Sequence, residues 1–301
     1  MNRKFPCVKI AENTWEISEF GDVSAFPLEG DDKALLIDTG VGIGNIRAAA
    51  EALTDKPLEV FITHNHRDHM GGAAHFDKIR LSREDSFIGP LIYTPATRLI
   101  YANNTLKINH PDWPLWTEAD LPAFTESDVP EVEFIADGDV IDLGSRRLTA
   151  VRCPGHSPGS MSLIDDSTGM LFSGDCVNEN VGLGVRSIPN IVHSSMEDAL
   201  AALRRLWAMD FDRARIFPAH TSATCRAVGS PLPVHIFPRV LELMESIIAD
   251  RCEISDFYIK NIDTTVSKAY LEDVSIEFQR SQIHGRDTFR VLSDKPVTST
   301  Y

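Results

Sequence analysis

The sequence predicts an α/β domain that carries a metal site along one edge, and three observations predict it. Apolar strand runs alternate with helical stripes: Ala34-Leu35-Leu36-Ile37, then Ile46, Ala49, Ala50 and Leu53 on one helical face, then Val60-Phe61-Ile62. The last run leads straight into Thr63-His64-Asn65-His66-Arg67-Asp68-His69-Met70-Gly71-Gly72, which packs three imidazoles and a carboxylate together. Three later apolar runs each end in a turn bearing one more candidate ligand: His156, Asp175 and His220.

Taken in order, Val8-Lys9-Ile10 and Trp15-Glu16-Ile17 alternate as strands. Asp38-Thr39-Gly40 follows the next strand as a turn, in which Asp38 either braces the metal loop or caps the turn itself. Lys56-Pro57 stops the first helix. His64 and His66, two residues apart on a strand, face the same way and can grip one metal; Asp68 and His69 lie past the strand end and aim at a second. Nitrogen and oxygen donors of this kind suit zinc, with iron or manganese as competitors. Gly71-Gly72 lets the next segment start hard against the metal loop, where a side chain would crowd it.

Ser82 with Asp85 reads as a capping box opening a helix. Residues 86–130 then read as an irregular insertion, punctuated by prolines and rich in aromatics, including Tyr93, Tyr101, Trp113 and Trp116. Regular strands return at 132–135, 139–143 and 147–151, before the rigid turn Cys153–Ser160 presents His156. Two more strands deliver Ser173-Gly174-Asp175. Residues 194–209 form an amphipathic helix with Ser194 and Glu197 as its capping box, and Phe237, Val240, Leu241 and Met244 stripe another. Val274-Ile276-Phe278 and Phe289-Val291 flank a Gly285 turn and predict an added hairpin. Residues 1–252 are thus expected to form one domain, with 253–301 an extension packed on it.

Composition bounds the function. The formal charge of −15 disfavours nucleic acid and acidic membranes as partners, although bound cations would still admit an anionic small-molecule substrate. No run of about eighteen apolar residues is present to span a bilayer, and the N-terminus has no apolar leader core. Five scattered cysteines make a disulfide framework an unnatural reading, so a cytoplasmic setting is expected.

The order Leu36-Ile37-Asp38-Thr39-Gly40, Thr63 to Gly72, Pro154-Gly155-His156-Ser157-Pro158-Gly159, Ser173-Gly174-Asp175 and Pro218-Ala219-His220 resembles the metallo-β-lactamase superfamily, in particular its glyoxalase II and lactonase branch. The resemblance implies a four-layer αβ/βα sandwich. It also implies that His64, His66 and His156 hold one metal, that Asp68, His69 and His220 hold the other, and that Asp175 bridges them. The activity it implies is that of a dinuclear zinc hydrolase, using a hydroxide shared by the metals on an ester, thioester, lactone or amide, with Asp68 and Asp175 as the catalytic carboxylates. Phosphodiester hydrolysis and a mononuclear-iron sulfur dioxygenase are the alternatives.

Substrate-side residues are a separate expectation. The insertion and residues 177–193 leave the metal edge, so Tyr93, Tyr101, Trp113, Trp116 and Arg186 are candidates for the substrate wall, with Gly182-Leu183-Gly184 as a mobile stretch. The same aromatics otherwise pack as a satellite core or as the interface of a homo-oligomer.

Overall fold

The computed structural model describes residues 5–86, 94–125, 128–184, 194–221, 227–259 and 264–284. Among them, seven strands form the first sheet in chain order: β1 (Cys7–Ala11), β2 (Thr14–Glu19), β3 (Val23–Glu29), β4 (Ala34–Ile37), β5 (Leu58–Phe61), β6 (Lys78–Ser82) and β7 (Glu131–Ile135). β1 to β4 are antiparallel neighbours, whereas β4 to β7 run parallel. Helix α1 (Ile46–Glu51) makes the crossover that a parallel β4–β5 pair needs. β4 is buried on both faces, which is why it reads as one unbroken apolar run.

The second sheet has β8 (Val140–Asp142), β9 (Arg147–Arg152), β10 (Met161–Asp165), β11 (Leu171–Gly174) and β13 (Ile216–Pro218), in the order β13-β11-β10-β9-β8. The two sheets face each other. Phe26, Leu35, Ile37 and Phe61 from the first interleave with Leu148, Leu163, Phe172 and Phe217 from the second. The Phe26 and Phe172 rings lie 5.1 Å apart. Behind the first sheet, Leu36 and Val60 meet Ile46 and Ala50 of α1. Behind the second, Val151, Ile164 and Ile216 meet helices α4 (Met196–Ala208) and α5 (Ile236–Ile248). The result is the expected four-layer sandwich, helix on sheet on sheet on helix.

Several local expectations are corrected. The capping box of α4 is Ser195 with Asp198, one residue later than Ser194 with Glu197; Ser195 Oγ accepts from Asp198 N at 3.1 Å. Glu197 instead points outward to His284. The insertion is not irregular throughout, because Pro95–Asn109 forms the fifteen-residue helix α3, with proline in its first turn. The hairpin expected about Gly285 lies outside the described residues; within them, β16 (Val274–Phe278) lies between β12 (Asn180–Gly182) and β15 (Thr264–Leu271), with β14 (Ile254–Ile259) beyond. Both edges of β16 are therefore occupied, and residues 289–291 lie outside the described residues. Ala269, Ile276 and Phe278 of this third sheet pack into the same core as α4 and α5.

Candidate metal centre

The ligand-bearing residues sit where strands of both sheets end. β5 stops at Phe61, so His64 and His66 occupy the loop beyond it, and not the strand itself. The chain then turns into a single helical turn, α2 (Arg67–Met70), which carries Asp68 and His69. Close approach fixes this turn. A side chain on Gly71 would collide with the Val41 carbonyl, and one on Gly42 with the Gly71 carbonyl. His156 follows β9, Asp175 follows β11, and His220 follows β13. A cross-sheet bridge between Val23 and His220, with Ser24 N donating to Ala219 O at 2.7 Å, ties the last of these to the start of β3.

All seven predicted residues come together. Asp175 Oδ2 lies 3.2 Å from His220 Nε2, 3.4 Å from His156 Nε2, 3.5 Å from His69 Nε2 and 4.0 Å from His64 Nε2. Asp68 Oδ2 lies 3.4 Å from His220 Nε2 and 3.5 Å from His69 Nε2. His66 Nδ1 meets His156 Nε2 at 2.8 Å. Two groups have the spacing that one cation needs, His64/His66/His156 and Asp68/His69/His220, and His64/His69/Asp175 spans the gap between them.

Four of the histidines are also held from behind. Nδ1 of His64 meets Thr63 Oγ1 at 3.0 Å, Nδ1 of His69 donates to Asp38 Oδ2 at 3.0 Å, and Nδ1 of His156 donates to Gly182 O at 2.7 Å. His220 Nδ1 faces Asp22 Oδ1 at 3.6 Å. Each Nε2 is thereby left for the centre, which is how ligating imidazoles are oriented. His64 Nε2, His69 Nε2 and Asp175 Oδ1 are buried without a hydrogen-bond partner. Buried polar atoms left bare are costly, and a cation between them removes that cost. The donor set therefore fits divalent metal.

Two buried carboxylates clamp the loops. Asp38, with its backbone in the left-handed region (φ 61°), accepts from Thr63 N at 2.7 Å and Thr63 Oγ1 at 2.8 Å, as well as from His69. It braces the site and does not cap its own turn. Asp85 is the group the sequence misplaced. Ser82 Oγ instead caps through Glu84 N, and Asp85 accepts from Asn65 N (3.1 Å), Ser157 Oγ (2.6 Å) and Gly159 N (2.8 Å). It joins the loop of His64 and His66 to the loop of His156.

Burial and mutual repulsion hold His64 well below the ordinary imidazole range and push His66 down to about 3, so both are neutral donors. Burial pushes Asp68 and Asp175 upward, but the neighbouring histidines outweigh it and hold both carboxyls well below their usual range. His69 and His220 go the other way: burial is overcome by Asp175 and its fellow carboxylates, which raise both. In the metal-free chain, protons on these two rings balance the carboxylates that cations would otherwise balance.

Of the candidates for the substrate wall, Tyr101 approaches the ligands. Its hydroxyl donates to Asp22 Oδ2 at 3.2 Å, and burial, then the charges of Asp68 and Asp22, raise it well above the usual phenol range, so it stays a donor. Trp116 is buried with Phe20, Val41 and Ile43, and Trp113 stacks on His110 at 4.0 Å. Tyr93 and Arg186 lie outside the described residues. Gly182-Leu183-Gly184, expected as a mobile stretch, instead ends β12, buries Leu183 and supports His156.

Glu19 is a further buried carboxylate near the site. It accepts from Val41 N and Ile43 N, and burial raises it to about 7 against the opposing pull of those bonds and Arg98. The folded chain therefore holds a proton there between about pH 4.5 and 7 that the unfolded chain releases, so this contribution to stability declines as pH rises through that window. In metal-free protein, the stability of Glu19→Gln relative to wild type is expected to rise by about 2–3 kcal/mol from pH 5 to pH 8. Urea unfolding at both pH values measures it; a pH-independent difference would count against the buried proton.

A model of the metallo-beta-lactamase superfamily matches residues 19–220, a span that includes all seven ligand candidates. Among curated proteins, the acyl-coenzyme A thioesterase MBLAC2 of Gallus gallus is 29% identical over 208 residues, 64% of this chain and 70% of its own. That of Homo sapiens is 30% identical over 170 residues, and the match spans little more than half of it, 56%, and 50% of this chain. Among solved structures, the metallo-beta-lactamase from Pontibacter korlensis superposes with a TM-score of 0.50 at 15% identity, covering 79% of this chain and 97% of that one.

Proposed function

The chain belongs to the metallo-beta-lactamase superfamily and is a metal-dependent hydrolase, and we propose from this premise that it holds two zinc ions and cleaves a thioester of a small acyl compound. The observation that carries the reading is the convergence of four histidine Nε2 atoms on Asp175 Oδ2, each within 4.0 Å. His64, His66 and His156 would hold one ion, Asp68, His69 and His220 the other, and Asp175 would stand between them. Bound there, the ions supply an activated water and polarise the scissile carbonyl.

The rest is the work of the chain. Hydrolysis adds water across the thioester, so the acid keeps the oxygen and the departing sulfur needs a proton. Asp68, whose Oδ2 lies 3.4 Å from His220 Nε2 and 3.5 Å from His69 Nε2, is placed to carry that proton from water to sulfur. Asp175 fixes the aim of the histidines and offers negative charge where cations collect. Asp38 and Asp85 keep the ligand loops from drifting apart. The thioester is chosen over an ester, lactone or amide because the curated relatives named above are thioesterases. Cys7, Cys153, Cys176 and Cys252 are free thiols, which supports a cytoplasmic setting.

Zinc-loaded protein is expected to carry close to two equivalents per chain and to cleave acyl-coenzyme A thioesters with kcat/KM at least about tenfold above matched esters, lactones and phosphodiesters. Metal analysis and a substrate panel measure both. One zinc at saturation, or iron with thiol-dependent oxygen uptake, would overturn the dizinc assignment; preference for another bond would overturn the thioester.

A further inference from the structure

The insertion reaches the candidate metal centre through polar arms on α3. Arg98 donates to Gly42 O at 2.9 Å, and His110 bonds to Phe20 O at 2.9 Å, so the helix is tied at both ends to loops behind the ligands. Between them stands Tyr101. Its hydroxyl donates to Asp22 Oδ2 and also engages the Asp68 carboxylate, and the other oxygen of Asp22 faces His220 Nδ1 at 3.6 Å. His220 in turn directs Nε2 at Asp68 and Asp175. The backbone of Asp22 is already fixed, because its carbonyl accepts from Thr221 N at 2.8 Å. Its carboxylate is not fixed by the backbone: the terminal torsion of an aspartate is broad, and a hydrogen bond is what selects one setting.

We propose that Tyr101 is a positioning residue for the Asp68–His69–His220 subsite. By holding the Asp22 carboxylate, it keeps an acceptor against His220 Nδ1 and so sets the aim of Nε2. The inference rests on reading the centre as a metal site. It also predicts selectivity between the two subsites. His64 is backed by Thr63 and His156 by the Gly182 carbonyl, with Asp85 joining their loops, and none of these groups depends on Tyr101. The tri-histidine subsite should not notice the loss of the phenol. Phenylalanine keeps the ring that packs with the Phe20, Val41 and Trp116 cluster, so only the hydroxyl is tested.

The experiment is a zinc titration of metal-free protein against a chromophoric chelator, on wild type, Tyr101→Phe, Asp22→Asn and the double variant. His220→Ala identifies which of the two zinc equivalents belongs to the His220 subsite. Tyr101→Phe is expected to weaken that equivalent by about 10–100-fold and to leave the other unchanged, with the melting temperature of the metal-free chain unaltered. Because Tyr101 acts partly through Asp22, the double variant should be weaker than Asp22→Asn by less than the loss Tyr101→Phe causes on its own. Wild-type zinc affinities in Tyr101→Phe would overturn the proposal. So would equal weakening of both equivalents together with a lower melting temperature, which would make Tyr101 a prop for α3. A wild-type chain that takes up no zinc would overturn the metal reading beneath it, an outcome distinct from a two-zinc wild type indifferent to Tyr101→Phe.

Discussion

Replacing Asp175 with alanine is expected to lower kcat by about a hundredfold to a thousandfold at saturating metal, while the metal-free fold survives. The activity loss follows from position. Among the described residues, no other carboxylate approaches four histidine nitrogens at once, and removal of one preorganised charge from a reacting centre costs on the order of 3–4 kcal/mol. Survival of the fold follows from what Asp175 does not do. Its Oδ1 has no hydrogen-bond partner, and its close neighbours are rings already anchored from behind by Thr63, Asp38 and Gly182. Circular dichroism melts and steady-state kinetics on the zinc-loaded variant measure the two halves. Wild-type turnover with two metals bound would remove Asp175 from its assigned place.

Asp85→Ala should show the reverse pattern, a loss of stability that carries activity down with it. Asp85 is 1% exposed and takes three donors from two loops. Alanine leaves Asn65 N, Gly159 N and Ser157 Oγ to find new partners, the first at a partly exposed position and the other two buried; Ser157 Oγ retains Ser160 at 2.7 Å. At about 1–3 kcal/mol for a buried donor stranded, Gly159 N alone costs on the order of 1–3 kcal/mol, and the partly exposed Asn65 N adds less than that. Burial raises the Asp85 carboxyl, and this offsets part of what its hydrogen bonds contribute, so the lower half of that range is expected. Urea unfolding of the metal-free protein supplies the number. A change below about 1 kcal/mol would mean that the loops hold together without the clamp.

The contrast between these two aspartates also explains what was legible in the sequence. Asp175 ends an apolar strand, as His156 and His220 do, and His64 to His69 form one contiguous motif; strand-then-ligand is a local pattern. The sandwich followed from the same runs, since β4 is apolar on both faces and the end of β5 buries Val60 on one face and Phe61 on the other. Asp85 shows no such pattern. Its partners lie 20, 72 and 74 residues away, and beside Ser82 it looks like an ordinary helix cap. Asp22 was equally silent, because only the cross-sheet bridge brings it to His220. The insertion was misread for a third reason: prolines mark breaks, but Pro95 sits at a helix start, where its missing N–H costs nothing. Its aromatics are shared between core and site, a division that composition does not reveal.

The cross-sheet placement of the ligands bears on how the protein assembles. The tri-histidine group needs His156 from beyond β9 as well as the loop after β5, and the other group needs His220 from beyond β13 as well as α2. Neither group is complete on the first sheet and its loops alone. A divalent ion therefore has no finished cage to enter until both sheets have docked, and an ion bound there favours the closed sandwich by mass action.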